Sequence, residues 1–109
     1  MSRYFRSSEE CSSHTIFPGV QVRTCAAEKM MLSLATLQPQ SVVEMHSHPH
    51  EQVGILLEGR AIFTIGDEER TLGPGEWFCI PGNVPHKVVA LDQVVRALDV
   101  FYPIREEYR

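Results

Sequence analysis

The sequence predicts an all-β domain, built as a sandwich or a barrel. Apolar, strand-like segments recur about every eight to twelve residues along the 109-residue chain, and turns rich in Gly and Pro separate them. The segments lack the sustained period that an amphipathic helix would have. A chain of this length has room for one hydrophobic core, so we expect a single domain over residues 1–109.

Each predicted strand ends at a turn signal. Pro18-Gly19 divides the first strand-like region at 16–25, and a Gln-Pro-Gln sequence closes the second at 30–37. We expect a hairpin loop at 66–69, where Gly, Asp and two Glu follow one another. The remaining predicted strands cover residues 42–48, 52–57, 60–65, 70–72, 77–80, 86–90 and 94–101.

Charge and composition exclude some classes of partner. The net charge is -4 and the basic residues are scattered, which argues against nucleic acid or an anionic membrane as a partner. No apolar run is long enough to span a membrane, so we expect no membrane association.

The cellular compartment is predicted from the N-terminus and the cysteines. The first ten residues lack the apolar core of a signal peptide, so we expect a cytoplasmic protein. Cys11, Cys25 and Cys79 have no paired spacing, which fits a reducing compartment and not a disulfide framework. Cys79 lies in an apolar segment and is expected to be a small core residue.

The two ends of the chain are polar. Residues 1–14 are expected to form an N-terminal arm, or an edge strand that pairs with a second subunit. His14 in this arm is expected to be exposed. The core then covers about residues 15–103, and a short charged tail follows it.

The densest group of potential ligands lies at 46–52, which reads His-Ser-His-Pro-His-Glu-Gln. His46, His48 and Gln52 share one face if the segment is extended on both sides of Pro49, because alternate strand residues point the same way. Neutral imidazole nitrogens are common ligands of divalent transition metals, and an amide oxygen adds a harder donor. A polar surface turn would not need this period-two spacing, so the sequence predicts a metal site.

Two neighbouring residues compete for a place in this site. Glu51 has the opposite parity to Gln52 and is expected to point away from the interior. His50 has the right parity, but it falls in the loop after Pro49. It is therefore compatible with a ligand, with a residue that orients a ligand, or with part of a pocket wall.

Two stretches resemble the motifs of a known family. His46-x-His48-x-x-x-Gln52, with Gly59 seven residues on, resembles the first cupin motif. Residues 75–86, which read GEWFCIPGNVPH, resemble the second cupin motif. The two motifs stand in the right order and separation, and the resemblance covers most of the chain.

The resemblance implies a double-stranded β-helix, the RmlC-like jelly roll. It also implies one divalent transition metal (Ni, Zn, Mn, Fe or Co), with open positions for water or substrate. The implied metal ligands are His46, His48, Gln52 and His86, the last being the closing histidine of the second motif. Many cupins have Glu at the position of Gln52. The neutral amide leaves the site one unit more positive, which favours an anionic substrate and disfavours the manganese oxalate chemistry of the glutamate version.

The last predicted strand places Asp99 on one face with Ala97 and Phe101, so its neighbours on that face are apolar. Its carboxylate either forms a solvated ion pair with Arg96 or Arg105 or has a functional role. The pattern Asp-x-Phe-x-x-x-Arg, downstream of the histidine cluster, resembles pectin-degradation cupins of the KdgF type. That resemblance implies that Asp99, Phe101 and Arg105 are pocket residues.

Cupins of the KdgF type open the ring of 4,5-unsaturated uronates released from pectin or alginate. The resemblance therefore implies a small anionic sugar as substrate and an isomerase activity, with Asp99 and Arg105 as catalytic residues. The residues expected to contact the substrate are Phe101, Arg105, His50 and Trp77, with Phe63 as a further candidate for the apolar wall.

Two other functions remain open at this point. One is an oxygen-using cupin of the dioxygenase type, and the other is a non-catalytic module that binds a metal or a sugar. Small cupins commonly pair, and an exposed sheet edge invites pairing, so we also expect a homodimer.

Overall fold

The computed structural model describes residues 2–109, which form ten β-strands and two short helices. In chain order the strands are β1 (Ser12–Phe17), β2 (Val20–Ala26), β3 (Met31–Leu37), β4 (Val42–His46), β5 (Glu51–Glu58), β6 (Ala61–Ile65), β7 (Glu68–Leu72), β8 (Trp77–Ile80), β9 (His86–Ala90) and β10 (Val95–Tyr102). The 3-10 helices are Ser8–Glu10 and Glu106–Tyr108. Neither helix of the described chain is long and apolar enough to cross a membrane.

The strands form two antiparallel sheets in a jelly-roll order. The larger sheet has the order β1-β2-β3-β10-β5-β8, and the smaller sheet has the order β4-β9-β6-β7. The last strand, β10, lies inside the larger sheet, where it pairs with β3 on one side and β5 on the other. This arrangement confirms the predicted all-β jelly roll.

The core lies between the sheets and is built from alternate residues of each strand. In β10 the side chains of Val95, Ala97, Asp99 and Phe101 are buried, whereas the residues between them are more exposed. Burying each large apolar side chain contributes about 1.5–3 kcal/mol, so this face of the strand is fixed towards the interior. Other members of the core are Val20, Leu37, Leu56, Phe63, Phe78 and Ile80.

The hairpin after β6 is tighter than the sequence suggests. Strand β7 begins at Glu68, so the two-residue turn Gly66-Asp67 replaces the predicted loop at 66–69. Gly66 has a φ of 58°, a left-handed conformation that glycine adopts without a Cβ clash. Glu68 and Glu69 resemble loop residues by composition, but they are exposed residues of β7.

Strand β8 presents Phe78 and Ile80 to the core and turns Trp77 and Cys79 outwards. The expectation that Cys79 is a core residue is therefore wrong, because its side chain is exposed. Trp77 is 76% exposed and also points away from the interior. The run Trp-Phe-Cys-Ile is continuously apolar, so its sequence does not reveal which alternate pair faces inwards.

Both ends of the chain pack more closely than expected. Strand β1 begins at Ser12, inside the predicted arm at 1–14, and pairs with β2. The charged tail folds back, and the helix Glu106–Tyr108 lies against β1. His14, expected to be exposed, is partly buried, and its Nε2 lies 3.1 Å from the carbonyl oxygen of Tyr108.

Candidate metal centre and active-site cavity

Three histidines converge beside the core. His46 ends β4 and His86 begins β9, and the two residues are partners in the β4–β9 ladder. His48 follows β4 in the connection to β5. The ring centroids are 4.3 Å apart for His46 and His86, 4.9 Å for His48 and His86, and 5.6 Å for His46 and His48. One ring nitrogen of each histidine lies within 4.8 Å of the other two, a grouping that one metal ion can bridge.

A backbone carbonyl holds each of the three rings. The Nδ1 to oxygen distances are 2.8 Å from His46 to Glu44, 3.0 Å from His48 to His50 and 2.9 Å from His86 to Val84. Because a carbonyl oxygen only accepts, each Nδ1 carries the hydrogen and each Nε2 keeps a free lone pair. The Nε2 atoms of His48 and His86 are buried and have no hydrogen-bond partner among residues 2–109.

Burial favours the neutral forms of His48 and His86. Desolvation, helped by the nearby charge of Arg105, lowers the pKa of His48 to about 4. Burial likewise lowers the pKa of His86 below its ordinary value. Both rings are therefore uncharged near neutral pH, which is the form that binds a metal ion. The donor types and the unpartnered nitrogens fit a divalent transition metal.

Gln52 lines the same cavity as His46 and His86. Its Nε2 donates a hydrogen bond to Oδ1 of Asp99 at 3.0 Å. Its Oε1 is buried and has no hydrogen-bond partner in the described part of the chain. That oxygen is the atom of Gln52 that could join the three histidine nitrogens as a fourth ligand, so the residues predicted from the sequence meet in one site.

Asp99 is buried on β10, next to Gly54 in the β5–β10 ladder. Burial raises the pKa of Asp99 to about 6, although the hydrogen bond from Gln52 opposes the rise. A carboxyl group with a pKa in this range can both release and accept a proton near neutral pH. The side chain is therefore suited to proton transfer inside the cavity.

The ion pair considered for Asp99 does not form. Arg96 lies on the opposite face of β10, because it has the other strand parity. Arg105 pairs instead with Glu107, at 3.5 Å. Asp99 is thus a buried carboxyl group with an amide partner and not a solvated surface residue.

Gly54 provides the space that Asp99 occupies. A Cβ at this position would lie 2.5 Å from Oδ1 of Asp99 and 2.4 Å from Cζ of Phe78, which is closer than atoms can approach. Sequence reasoning missed the role of Gly54. The sequence feature that could have revealed this role is a lone glycine inside an apolar strand, because such a glycine often marks the close approach of a neighbouring group.

Arg105 is buried at the cavity and stacks between two aromatic rings. Its guanidinium carbon lies 5.3 Å from the centroid of Phe101 and 4.3 Å from that of Tyr108. The Nε of Arg105 is buried without a hydrogen-bond partner, and its ion pair reaches the largely exposed Glu107. A guanidinium held in this way can receive a carboxylate. Tyr108 was missed by sequence reasoning, since it lies in a tail that reads as charged and exposed.

The cavity itself is small and mostly apolar. It offers about 70 Å³, which is room for roughly five water molecules. Its polar lining includes His46, Gln52, His86, Asp99 and Arg105. An apolar pocket with a few convergent polar groups is typical of a site for a small molecule.

The expected substrate contacts divide into two groups. Phe101 and Arg105 line the cavity. His50 lies beside His48, with ring centroids 5.4 Å apart, but it is not part of the three-histidine cluster. Trp77 lines a separate groove along β7 and β8, so the expectation that it contacts a ligand in this cavity is wrong.

The fold and the site define a small jelly-roll protein with a candidate metal centre inside its barrel. Residues 33–101 match the cupin domain family, and the chain belongs to that family. Two solved structures extend the likeness over almost the whole chain. An RmlC-like cupin from Shewanella frigidimarina superposes with a TM-score of 0.88 at 23% identity, covering 99% of this chain and 97% of that one.

A second solved structure, KdgF from Halomonas sp., has a TM-score of 0.84 at 28% identity, covering 94% of this chain and 97% of that chain. Among curated proteins, H2HPP isomerase of Bacillus subtilis is 35% identical over 69 residues. That match covers 62% of this chain but only 29% of the isomerase. These likenesses support a small cupin that resembles the KdgF type.

Proposed function

We propose that this cupin is a metal-dependent isomerase that opens the ring of 4,5-unsaturated uronate monosaccharides. The product would be the linear 4-deoxy-5-keto form. The observation that carries the proposal is the pair formed by Asp99 and Gln52, which lies in one cavity with Arg105, His46 and His86. Similarity to KdgF from Halomonas sp. and to an isomerase supports the same reaction class.

Three histidines and one amide would hold the metal. The donors are Nε2 of His46, His48 and His86 and Oε1 of Gln52. When bound, a divalent metal supplies a Lewis acid and a template for the oxygens of the substrate. An amide adds no negative charge to this donor set, so the site remains attractive to an anionic sugar.

Arg105 would bind the carboxylate of the uronate. Its guanidinium is buried beside the cavity, and the rings of Phe101 and Tyr108 hold its plane in place. A carboxylate and a guanidinium form paired, charge-assisted hydrogen bonds, which orient the sugar as well as attract it.

Asp99 would move the proton that the reaction requires. Opening breaks the C1–O5 bond of the hemiacetal, and the proton of the C1 hydroxyl passes to O5. This step leaves an aldehyde at C1 and an enol at C5. A proton then passes from the enol oxygen to C4, and C5 becomes a ketone, so no atom or electron is gained or lost overall. A carboxyl group whose pKa burial raises to about 6 can give and take this proton at neutral pH.

The proposal is tested by offering unsaturated galacturonate or mannuronate to metal-analysed protein and following the loss of the alkene's ultraviolet absorbance. We expect wild type to exceed the spontaneous rate. Asp99→Asn should lower the catalysed rate about 100- to 10,000-fold, the usual contribution of a general acid or base. Asp92→Asn is the matched control, because Asp92 is an exposed turn residue, and it should leave the rate unchanged.

The other cupin functions give different results in the same experiment. A wild-type rate equal to the spontaneous rate with both sugars would contradict the proposal and leave a binding module. Oxygen uptake that accompanies turnover would indicate a dioxygenase, since the isomerisation consumes no oxygen.

A further inference from the structure

Two cysteines face each other at the edge of the larger sheet, away from the candidate site. The β1–β2 ladder pairs Ser12 with Thr24. Cys11 precedes Ser12 and Cys25 follows Thr24, so the antiparallel register brings the two cysteines to opposite positions. Opposite residues of such a pair have Cβ atoms about 4.5–5.5 Å apart. The two cysteines are distant in the sequence, and their pairing therefore becomes visible only when the strands are placed.

The backbone at this position suits a disulfide bond. The N–H of Cys11 donates to the carbonyl oxygen of Ser8 at 3.2 Å instead of to β2. The two cysteines thus occupy a non-hydrogen-bonded position, where the Cα atoms of opposite residues are about 4.5 Å apart. Disulfide bonds span Cα distances of about 4.4–6.8 Å. A bond between Cys11 and Cys25 would therefore need little movement of the strands.

The two sulfurs differ in their surroundings, although both cysteines are half-buried. Burial and the neighbouring thiol of Cys25 raise the pKa of Cys11, and the charges of Arg23 and Arg6 oppose this rise. The guanidinium of Arg6 donates a hydrogen bond to Sγ of Cys25 at 2.9 Å. Reactive cysteines are typically found in partly exposed, electropositive surroundings. Cys25 is therefore the sulfur placed for the first attack, and Cys11 is the second thiol.

A surface pocket of about 200 Å³ opens beside both cysteines. Arg6 reaches into this region, where it also binds the carbonyl oxygen of Ala26 at 2.8 Å. It forms no ion pair among residues 2–109, whereas Arg109 at the same pocket pairs with Glu106. The unpaired positive charge beside the sulfurs favours a small molecule that carries carboxylates. The pocket is lined by Arg6, Glu10, Cys11, Thr24, Cys25 and Arg109, among others.

We propose that Cys11 and Cys25 form a reversible disulfide by exchange with an anionic, low-molecular-weight disulfide. The thiolate of Cys25 attacks one sulfur of the small disulfide, whose S–S bond breaks and releases one small thiolate. The thiolate of Cys11 then attacks Sγ of Cys25 in the mixed disulfide and releases the second small thiolate. The cysteine pair loses two protons and two electrons, and the small disulfide gains them as two thiols. An excess of the small thiol reverses both steps.

The inference is independent of the reaction proposed above, because it uses none of the cavity residues. It also agrees with the reducing compartment expected from the sequence, where disulfides are usually transient and not structural. The bond would join β1 to β2 next to Thr24, whose hydroxyl donates to the carbonyl oxygen of Tyr108. It would thus strengthen the edge against which the C-terminal tail folds.

The test treats the full chain with oxidised glutathione and measures its intact mass and its free thiols. The chain carries Cys79→Ser, which removes the exposed third thiol. We expect this protein to lose the mass of two hydrogen atoms and both free thiols, with Cys11 and Cys25 joined in one cross-linked peptide. Cys11→Ser in the same background is the matched control. It should stop at a glutathione adduct on Cys25, because the second thiol is missing.

Two further measurements separate a reversible site from accidental oxidation. The oxidised protein should have a higher urea midpoint than the reduced protein, because the bond closes a loop in the unfolded chain, and dithiothreitol should restore the lower midpoint. Arg6→Gln should slow the first exchange step several-fold at neutral pH while the disulfide still forms. A glutathione adduct that persists when both cysteines are present, a disulfide between two molecules, or two unreacted thiols would each overturn the proposal.

Discussion

Gln52 donates its amide hydrogen to Asp99 and keeps its own oxygen free, so one side chain joins the carboxyl group to the histidine site. Gln52→Glu should break this relationship. An ionised glutamate cannot donate, and two carboxyl groups at hydrogen-bond distance share a proton, which raises the pKa of Asp99 further. We expect metal content to be retained and kcat/KM for the unsaturated uronate to fall at least about tenfold at neutral pH.

Metal analysis and turnover measured on the same preparation check this outcome. The control is Gln38→Glu, which makes the same change at an exposed position. A Gln52→Glu protein with wild-type turnover would show that the amide donor is not required.

Gly54→Ala should damage the cavity without touching a metal ligand. The added methyl group would overlap Asp99 Oδ1 and the ring of Phe78, both under 3.0 Å from the ideal Cβ position. Overpacking of this kind lowers the free energy of unfolding by about 1–3 kcal/mol. We also expect turnover to fall, because Asp99 must move. Gly73→Ala is the control, since its nearest neighbour is the flexible end of Arg60 at 3.3 Å. The measurements are urea unfolding and turnover of both variants. Equal stability of Gly54→Ala and Gly73→Ala would contradict the predicted overpacking.

The stability of the metal-free protein should depend on pH through Asp99. Its pKa is 3.8 when unfolded and about 6 when folded. Between these values the folded protein holds a proton that the unfolded chain has lost, so Asp99 makes stability fall as pH rises. His48 makes stability rise with pH, because its pKa of about 4 in the folded protein lies below its ordinary value of 6.5.

The contribution of Asp99 is therefore measured as a difference. The free energy of unfolding of wild type minus that of Asp99→Asn should decrease by about 2–3 kcal/mol as pH rises from the unfolded to the folded pKa of Asp99. Urea titrations of both proteins, stripped of metal with a chelator, provide the measurement. A difference that stays constant with pH would mean that Asp99 is not protonated in the folded state.

Metal binding should require the three clustered histidines but not their neighbour. His48→Ala and His86→Ala each remove one Nε2 donor, and we expect affinity for a divalent ion to fall more than about 100-fold. His50→Ala should bind normally, because His50 holds the ring of His48 through its backbone carbonyl. Calorimetry with zinc or nickel measures all three. Loss of binding in His50→Ala alone would reassign the ligand set.

The parity of strand residues could be predicted from local sequence, and it placed Gln52 and Asp99 on inward faces while turning Glu51 outwards. The cupin motifs added the fold and His86. These features are local, since alternation within a strand and the spacing of a motif are both visible in short segments.

Features that depend on distant segments could not be predicted. Trp77 and Cys79 were misplaced because a continuous apolar run has no alternation to assign its faces. The stacking of Arg105 on Tyr108 arises only when the tail folds against β1, and the charged composition of the tail gives no sign of it. Gly54 is required because the side chain of Asp99, on the neighbouring strand, occupies the space that a Cβ at position 54 would need.

The carbonyls that hold the three histidine rings each lie two residues along the chain from the ring they hold. The ring orientations are thus set by short stretches of backbone, and a metal ion would meet donors that are already aimed. Little side-chain freedom is left to lose on binding. The preference of the site among divalent ions then depends mainly on how well its nitrogen donors suit each ion, against the free-energy cost of removing that ion's water.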